Sequence, residues 1–443
     1  MTAAMPASPG RGLFSRLFSG IAWNAAGTVF NQGSTFVVSV VVANFLGREL
    51  FGEYAIVLGT LATVSTMAQL AMGYTATKFL AELRSVDRPR AGRVLGLCLA
   101  VSVLAGVLAG GGLAAGARVI AERVLRAPQL GPLLTIAAVA VFFGVVNAFL
   151  LGALAGLEAY RSLAQAGLVA GLVYLALCLF GAWRAGLPGL LIGVAASSLF
   201  QVAVLLVSVW KEAGRQGLRV DFRGLLVERS LILRFAFPAA LSGISYMTAT
   251  WLASACLVRQ PRGLSEIAIF AAAANYRVIV LFLPSVINNV AMSILNHNVG
   301  LKEQAQFHRL LSLVVRLHVV TTVLAAALVG VLIPFALRLF GAGFSGGKAV
   351  LAILLGSAVI QPLWYAAAQT ISSGGEMWRV FLWGTVPRDL LIVGLMLWLV
   401  PAFGALGLAV AETTGWLTAF VILAASNQDR LRIARAGLLS GKA

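Results

Sequence analysis

Charge is scarce in this chain of 443 residues: 11% are Asp, Glu, Lys or Arg, and only 15 residues are acidic. That leaves too little polar surface to solvate a globule of this length, so a soluble fold is excluded. Cysteine and histidine are rarer still, with three of each. Cys98, Cys178 and Cys256 sit inside apolar runs without CxxC or Cys/His spacing, so they read as small packing residues rather than a disulfide or metal set. His297, His308 and His318 also lack ligand spacing, and there is no HExxH, Walker loop or GxSxG. Acid/base or metal groups gathered at an interface are missing, as is a large extramembrane loop to hold a second substrate. No catalytic residue, metal or cofactor is therefore expected, and the chain reads as a non-enzyme. Without a nucleotide motif, energy has to come from an ion gradient, the membrane potential or the substrate gradient.

What is abundant is apolar helix. Hydrophobic residues make up 60% of the chain, and the mean hydropathy is +0.95. About twenty apolar residues at 1.5 Å rise match the ~30 Å hydrocarbon core of a bilayer. Candidate spans fall at 19–45, 54–77, 94–116, 133–155, 164–183, 188–209, 235–258, 267–295, 311–332, 348–370, 380–400 and 404–425. The expected fold is an all-α integral membrane protein of about twelve transmembrane helices. The first segment is too long for the ~7–15-residue apolar stretch of a signal peptide, and no small-residue cleavage site follows, so it is expected to remain as the first span.

The formal net charge of +18 sorts by side. With a cytoplasmic N-terminus, inner connections hold Lys78, Arg84, Arg88, Arg90 and Arg93, then Lys211, Arg215, Arg219, Arg223, Arg229 and Arg234. The tails add Arg11, Arg16, Arg430, Arg432, Arg435 and Lys442, and a smaller basic set lies on the other side. The positive-inside rule then places both termini in the cytoplasm. These basic loops fix topology and sit against anionic headgroups; no nucleic-acid partner is implied. The organisation is an N-terminal tail at 1–18, an N-lobe at 19–209, a basic linker at 210–234, a C-lobe at 235–425 and a tail at 426–443. Six spans on each side of the linker preserve direction across the membrane, which implies two lobes with a cleft between them.

Several stretches carry a family resemblance. Trp23-Asn24, Gly27, the run from Ala43 to Tyr54, Gly73 and Ala81-Glu82 resemble the opening of the polysaccharide and lipid-linked oligosaccharide flippases of the multidrug/oligosaccharidyl-lipid/polysaccharide (MOP) superfamily. Ala274-Asn275-Tyr276-Arg277 with Leu283-Pro284, Phe340 to Phe344, and Pro401 to Gly407 recur at span positions where that family has them. The family often has a basic residue where Asn44 stands, and a glycine and a tyrosine where this chain has Ala268 and Phe270. The resemblance covers essentially the whole chain and implies a MOP-like alternating-access bundle.

Polar groups inside apolar helices are the candidate site residues. Asn24, Thr28, Asn31 and Thr35 share one face of the first span; they line a hydrated cavity or make interhelical hydrogen bonds. Arg277 lies deep in the eighth span, where a charge costs at least ~2.5–3.5 kcal/mol. Asn275 is two residues before it, and Leu281, Pro284 and Asn288 continue its face. Two readings are open. Arg277 faces the cleft and binds an anionic group, as the resemblance implies for cavity cations, or it is ion-paired with Glu412 or Asp389. Glu412 and Asp389 are candidate ion-coupling groups, although Arg388 beside Asp389 offers simple neutralisation. Gln361, Tyr365 and Gln369, with Trp364, give an amide and aromatic surface suited to sugars or to ordinary packing. Arg316 and His318 are expected at headgroup level.

The resemblance implies a flippase that moves a polyprenyl-pyrophosphate-linked oligosaccharide across the cytoplasmic membrane, in contact with membrane lipids and with a glycan polymerase or transferases. A cation-coupled drug or metabolite exporter of the same superfamily, and a non-transporting scaffold for glycan assembly, are the alternatives.

Overall fold

The structure, a computed structural model, describes residues 9–222, 236–300, 304–372 and 377–426. Side chains are described over a narrower set, which leaves out Asn24, Thr28, Asn288, His297, His308 and Gln369.

Helix α1 spans Pro9–Leu46 and α2 spans Arg48–Ala68, joined through Gly47 alone at φ 84°. The sequence places a turn of several residues here, but glycine's access to positive φ lets the chain reverse in one. Helix α3 follows at Met72–Leu83 and α4 at Arg88–Val119. Asp87 starts α4 by accepting a hydrogen bond from the Arg90 amide at 3.0 Å, with Pro89 in the first turn. Helix α5 is Leu130–Gly156 and α6 is Tyr160–Arg215. Beyond the linker come α7 (Phe237–Val258), α8 (Gly263–Gly300), α9 (Gln304–Val331), α10 (Ile333–Ala336), α11 (Lys348–Ser372), α12 (Met377–Val380) and α13 (Val386–Ala425).

Among the described residues, 9 helices are long and apolar enough to cross a membrane. Two of these are hairpins. Helix α6 reverses at Ala185 and Gly186 (φ 61°), and α13, continuous with α12 through a π-helical turn, reverses at Gly404 (φ 54°). The two arms of α6 pack so closely that a Cβ on Gly181 would stand 2.1 Å from the Gly189 carbonyl oxygen. A further span is bent by 66° between Arg316–Val331 and Ile333–Phe340. Counting each arm and the bent span separately gives the twelve crossings that the sequence leads one to expect.

The second span differs from its expected form. The sequence predicts one helix over 54–77, whereas the backbone breaks after Ala68, with Leu70 (φ 45°) and Ala71 (φ 53°) both left-handed. The break sets α3 against α5, where Gly73 and Gly152 meet backbone to backbone: a Cβ on Gly152 would lie 2.1 Å from the Gly73 carbonyl oxygen. The predicted linker at 210–234 also divides. Helix α6 continues to Arg215, the chain after it lies along α4 with the Asp221 amide bonded to the Gly92 carbonyl at 3.2 Å, and 223–235 lie outside the described residues.

Helices α1 to α6 pack among themselves, as do α7 to α13, and the two groups meet through α2 against α7 and α8 and through α1 against α8. Four buried clusters follow this division, the smallest being Leu113, Ala138, Val141 and Val145 of the N-lobe. One crosses between the lobes and joins Val38, Phe51 and Tyr54 to Ala268, Tyr276, Phe340 and Phe344. A second, around Met72, Leu95 and Phe149, belongs to the N-lobe. A third, around Trp364, Ile371 and Trp416, belongs to the C-lobe. The lobes therefore share a core toward one end and keep separate cores toward the other.

Candidate functional site

The shared end is closed by polar contacts as well as packing. Arg48, the first residue of α2, donates from Nε to the Ser265 carbonyl at 3.0 Å and from Nη1 to the Gly343 carbonyl at 3.1 Å. Its Nη2 faces the Glu266 carboxylate at 3.5 Å. Asn44 Nδ2 reaches the Leu339 carbonyl at 2.6 Å. Gly52 permits the tightest approach, since a Cβ there would stand 1.9 Å from the Leu264 carbonyl oxygen. Halfway along the lobe boundary, Trp251 Nε1 donates to Thr60 Oγ1 at 2.8 Å. Helices α2 and α7 remain neighbours as far as Thr66 and Gly243.

The chemistry-bearing groups of the C-lobe lie away from that closed end. Arg277 is fourteen residues beyond the start of α8, about 21 Å along its axis. Its Nη1 contacts Glu412 Oε2 of α13 at 2.5 Å, with the two side chains 14% and 4% exposed. Of the partners left open by the sequence, Glu412 therefore holds Arg277. Its charge is matched by a carboxylate, and a free guanidinium is not presented. Asp389 is engaged elsewhere: Oδ1 accepts from Arg388 Nε at 2.7 Å and Oδ2 from Ser245 Oγ at 2.6 Å.

Arg388 is enclosed by rings. Its guanidinium carbon lies 4.4 Å from the centroids of both Tyr246 and Trp416 and 5.4 Å from that of Trp364. Such stacking suits a planar, weakly hydrated cation away from water. Tyr246 stands within electrostatic reach of Arg277, Glu412 and Arg388, and so ties the two ion pairs into one neutral cluster on α7, α8 and α13. Tyr365 of α11 edges onto Trp364 and Trp416 and remains 42% exposed, so the cluster reaches an open surface. Gln361, one turn earlier, is buried, and its Nε2, like the indole nitrogens of Trp364 and Trp416, has no hydrogen-bond partner among the described residues. Among the described residues, no three His, Cys, Asp or Glu side chains gather as a metal site.

The other expected residues separate. Asn275 Nδ2 donates back to the Ala271 carbonyl at 2.9 Å, inside its own helix. Asn31 is half-buried on α1, and its carbonyl accepts from Thr35 Oγ1 at 3.1 Å. The side chains of Asn24 and Asn288 lie outside the described residues. His318 departs from the headgroup position expected of it. It is buried, with Nε2 2.9 Å from the Pro284 carbonyl, because α9 begins at Gln304 and carries residue 318 well into the span. Arg316 remains exposed. Sequence reasoning missed Tyr246, Ser245 and Trp416; an aromatic on each of three different spans had no visible link to Arg388 before the helices were placed.

A family model described as "Polysaccharide biosynthesis protein" matches residues 17–295, more than half of the chain. The chain belongs to that family. Among curated relatives, the EPS I polysaccharide export inner membrane protein EpsE of Ralstonia nicotianae (strain ATCC BAA-1114 / GMI1000) is 22% identical over 394 residues, covering 88% of each chain. Solved structures share the fold. An outward-facing multidrug resistance MATE family transporter of the MOP superfamily aligns at TM-score 0.74 and 14% identity, covering 95% of this chain and 96% of that one. A MOP superfamily transporter from Pyrococcus furiosus Vc1 (DSM3638), whose binding pocket is described as reversed in polarity, aligns at 0.72 and 15% identity over 95% and 96%. The eukaryotic MATE transporter AtDTX14 aligns at 0.74 and 15% over 96% and 99%. This polysaccharide biosynthesis family member thus has the fold of the MOP superfamily transporters.

Proposed function

We propose that this protein is an inner-membrane flippase that carries a polyprenyl-pyrophosphate-linked oligosaccharide between leaflets by alternating access. The supporting observation is the Arg277–Glu412 pair, deep in a helix bundle whose lobes share a buried core toward one end. In this reading both termini are cytoplasmic and the joined end faces outward, so the cleft between α1, α2, α7 and α8 opens to the cytoplasm. The pyrophosphate competes with Glu412 for the Arg277 guanidinium, whose forked donors fit phosphate oxygens. Asn24, Asn31, Asn275, Asn288, Gln361 and Tyr365 line the path of the sugars, while the lipid tail stays in the bilayer. Glu412, once released by Arg277, and Asp389 are the groups through which an ion gradient couples to the cycle.

The polysaccharide export name of EpsE favours a glycan over a drug as cargo. Glycan polymerase or transferases supply and consume such a substrate, and the protein itself performs no bond chemistry. The test is Arg277→Ala in cells. Surface polysaccharide falls to background, lipid-linked repeat units accumulate on the inner leaflet, and the protein stays in the membrane. Undiminished surface polysaccharide removes Arg277 from the transport path. Raised resistance to cationic compounds on overproduction, without glycan dependence, replaces the flippase by an exporter.

A further inference from the structure

At the joined end, beside the Arg48 contacts, the lobes border a half-open cavity of about 630 Å³. Arg48 and Glu49 of α2 form its N-lobe wall, and Arg262, Ser265 and Glu266 at the start of α8 face them. Phe403, 59% exposed at the α13 bend, forms part of the rim. Its lining holds two guanidinium groups and two carboxylates, and therefore no net charge. Arg48 and Glu266 are committed to the seal, and Glu266 Oε2 also accepts from the Ala405 amide at 3.0 Å. Glu49 and Arg262 are exposed and have no ion-pair partner among the described residues.

This chemistry is selective. Ile269, Ala349, Val350 and Leu406 complete the lining with an apolar wall, against which a sugar's C–H faces pack, while a cation meets two arginines and a polyanion meets two carboxylates. What fits is a neutral polyol: carboxylates accept from hydroxyl groups, guanidinium groups donate to them, and an aromatic ring at the rim stacks on the C–H face of a sugar. The volume lies within the range of about 300–1,000 Å³ common for small-molecule sites. Arg277 lies eight residues beyond Ile269, the innermost α8 residue of the lining, about 12 Å further along the helix.

We infer that the outer cavity is an oligosaccharide-binding subsite, separate from the Arg277 site, that holds glycan on the far face of the closed gate. The inference rests on the flippase reading for the identity of the sugar, while the residues concerned are independent of Arg277. Bound glycan bridges Glu49 of one lobe to Arg262 of the other, so occupancy holds this face of the gate together.

The test uses the purified full chain in detergent and a lipid-free oligosaccharide released by mild acid from the surface polysaccharide of the producing cell, end-labelled for fluorescence anisotropy. Saturable binding is expected. Glu49→Ala, Arg262→Ala and Phe403→Ala each weaken it by about tenfold or more. Since Glu49, Arg262 and Phe403 are exposed, an unchanged gel-filtration profile establishes that each variant folds. Absence of binding overturns the subsite. Binding retained at full strength in all three outer variants places the sugar elsewhere and also overturns it. Displacement of the label by inorganic pyrophosphate at equal concentration identifies an anion site instead. None of these outcomes bears on whether Arg277→Ala abolishes export, which decides the flippase reading separately.

Discussion

A buried ion pair is stable only while both members are present. Arg277 and Glu412 are 14% and 4% exposed, so truncating one strands the other in low dielectric at a cost of about 3–5 kcal/mol, whereas replacing both by apolar groups of similar volume is near neutral. Glu412→Ala is therefore expected to lower the unfolding midpoint of the purified protein sharply, and Arg277→Met with Glu412→Leu to restore most of it. A thiol-reactive dye provides the measurement, because Cys98 and Cys178 are buried and become reactive on unfolding. Equal losses in the single and double variants would show that the pair is not the stabilising unit. This is also the scale at which the sequence was least complete. The depth of Arg277, Glu412, Arg388 and Asp389 was legible, because charges in apolar helices are conspicuous. Which acid would meet Arg277 was not, since that depends on how α8, α11 and α13 rotate about their axes. The aromatic enclosure of Arg388 was hidden for the same reason: Tyr246, Trp364 and Trp416 are far apart in the chain and ordinary residues in a membrane helix.

Helices were more legible than their ends. Each apolar run became a span because backbone groups in lipid have no partners but their own helix. Reversals at Gly186 and Gly404 follow from glycine at positive φ close to a proline, a signal visible in the chain. The break at Leu70 and Ala71 was invisible, since neither residue is a helix breaker and the contact of Gly73 with α5 that accompanies it is tertiary. Close approach governs α2 elsewhere: with only 1.9 Å available between a Cβ at position 52 and Leu264, Gly52→Ala is expected to push α2 from α8. In a background free of native cysteines, Ser265→Cys should react faster with an impermeant maleimide once Gly52→Ala is added. Unchanged labelling would mean that the backbones separate without opening the gate.

At the scale of the molecule, one core shared between the lobes and others confined to a single lobe describe a body able to pivot. Rigid lobes that exchange contacts at one end for contacts at the other are the basis of alternating access. If the Arg48–Ser265 contact must part in every cycle, then Arg48→Cys with Ser265→Cys, joined by a short bismaleimide in the otherwise cysteine-free chain, should stop surface polysaccharide output. The unlinked double variant measures the loss due to the substitutions alone, and full output from the linked protein would show that this end never opens. The lobe plan was legible from span count and the charged middle of the chain, whereas which end stood closed was not, because a sequence encodes both states of a moving protein. Two consecutive residues with side chains, Leu70 and Ala71, hold a left-handed backbone at about 1–2 kcal/mol each. Glycine at position 71 removes most of that cost, so Ala71→Gly is expected to raise the unfolding midpoint in the same dye assay, worth about 0.5–1 kcal/mol.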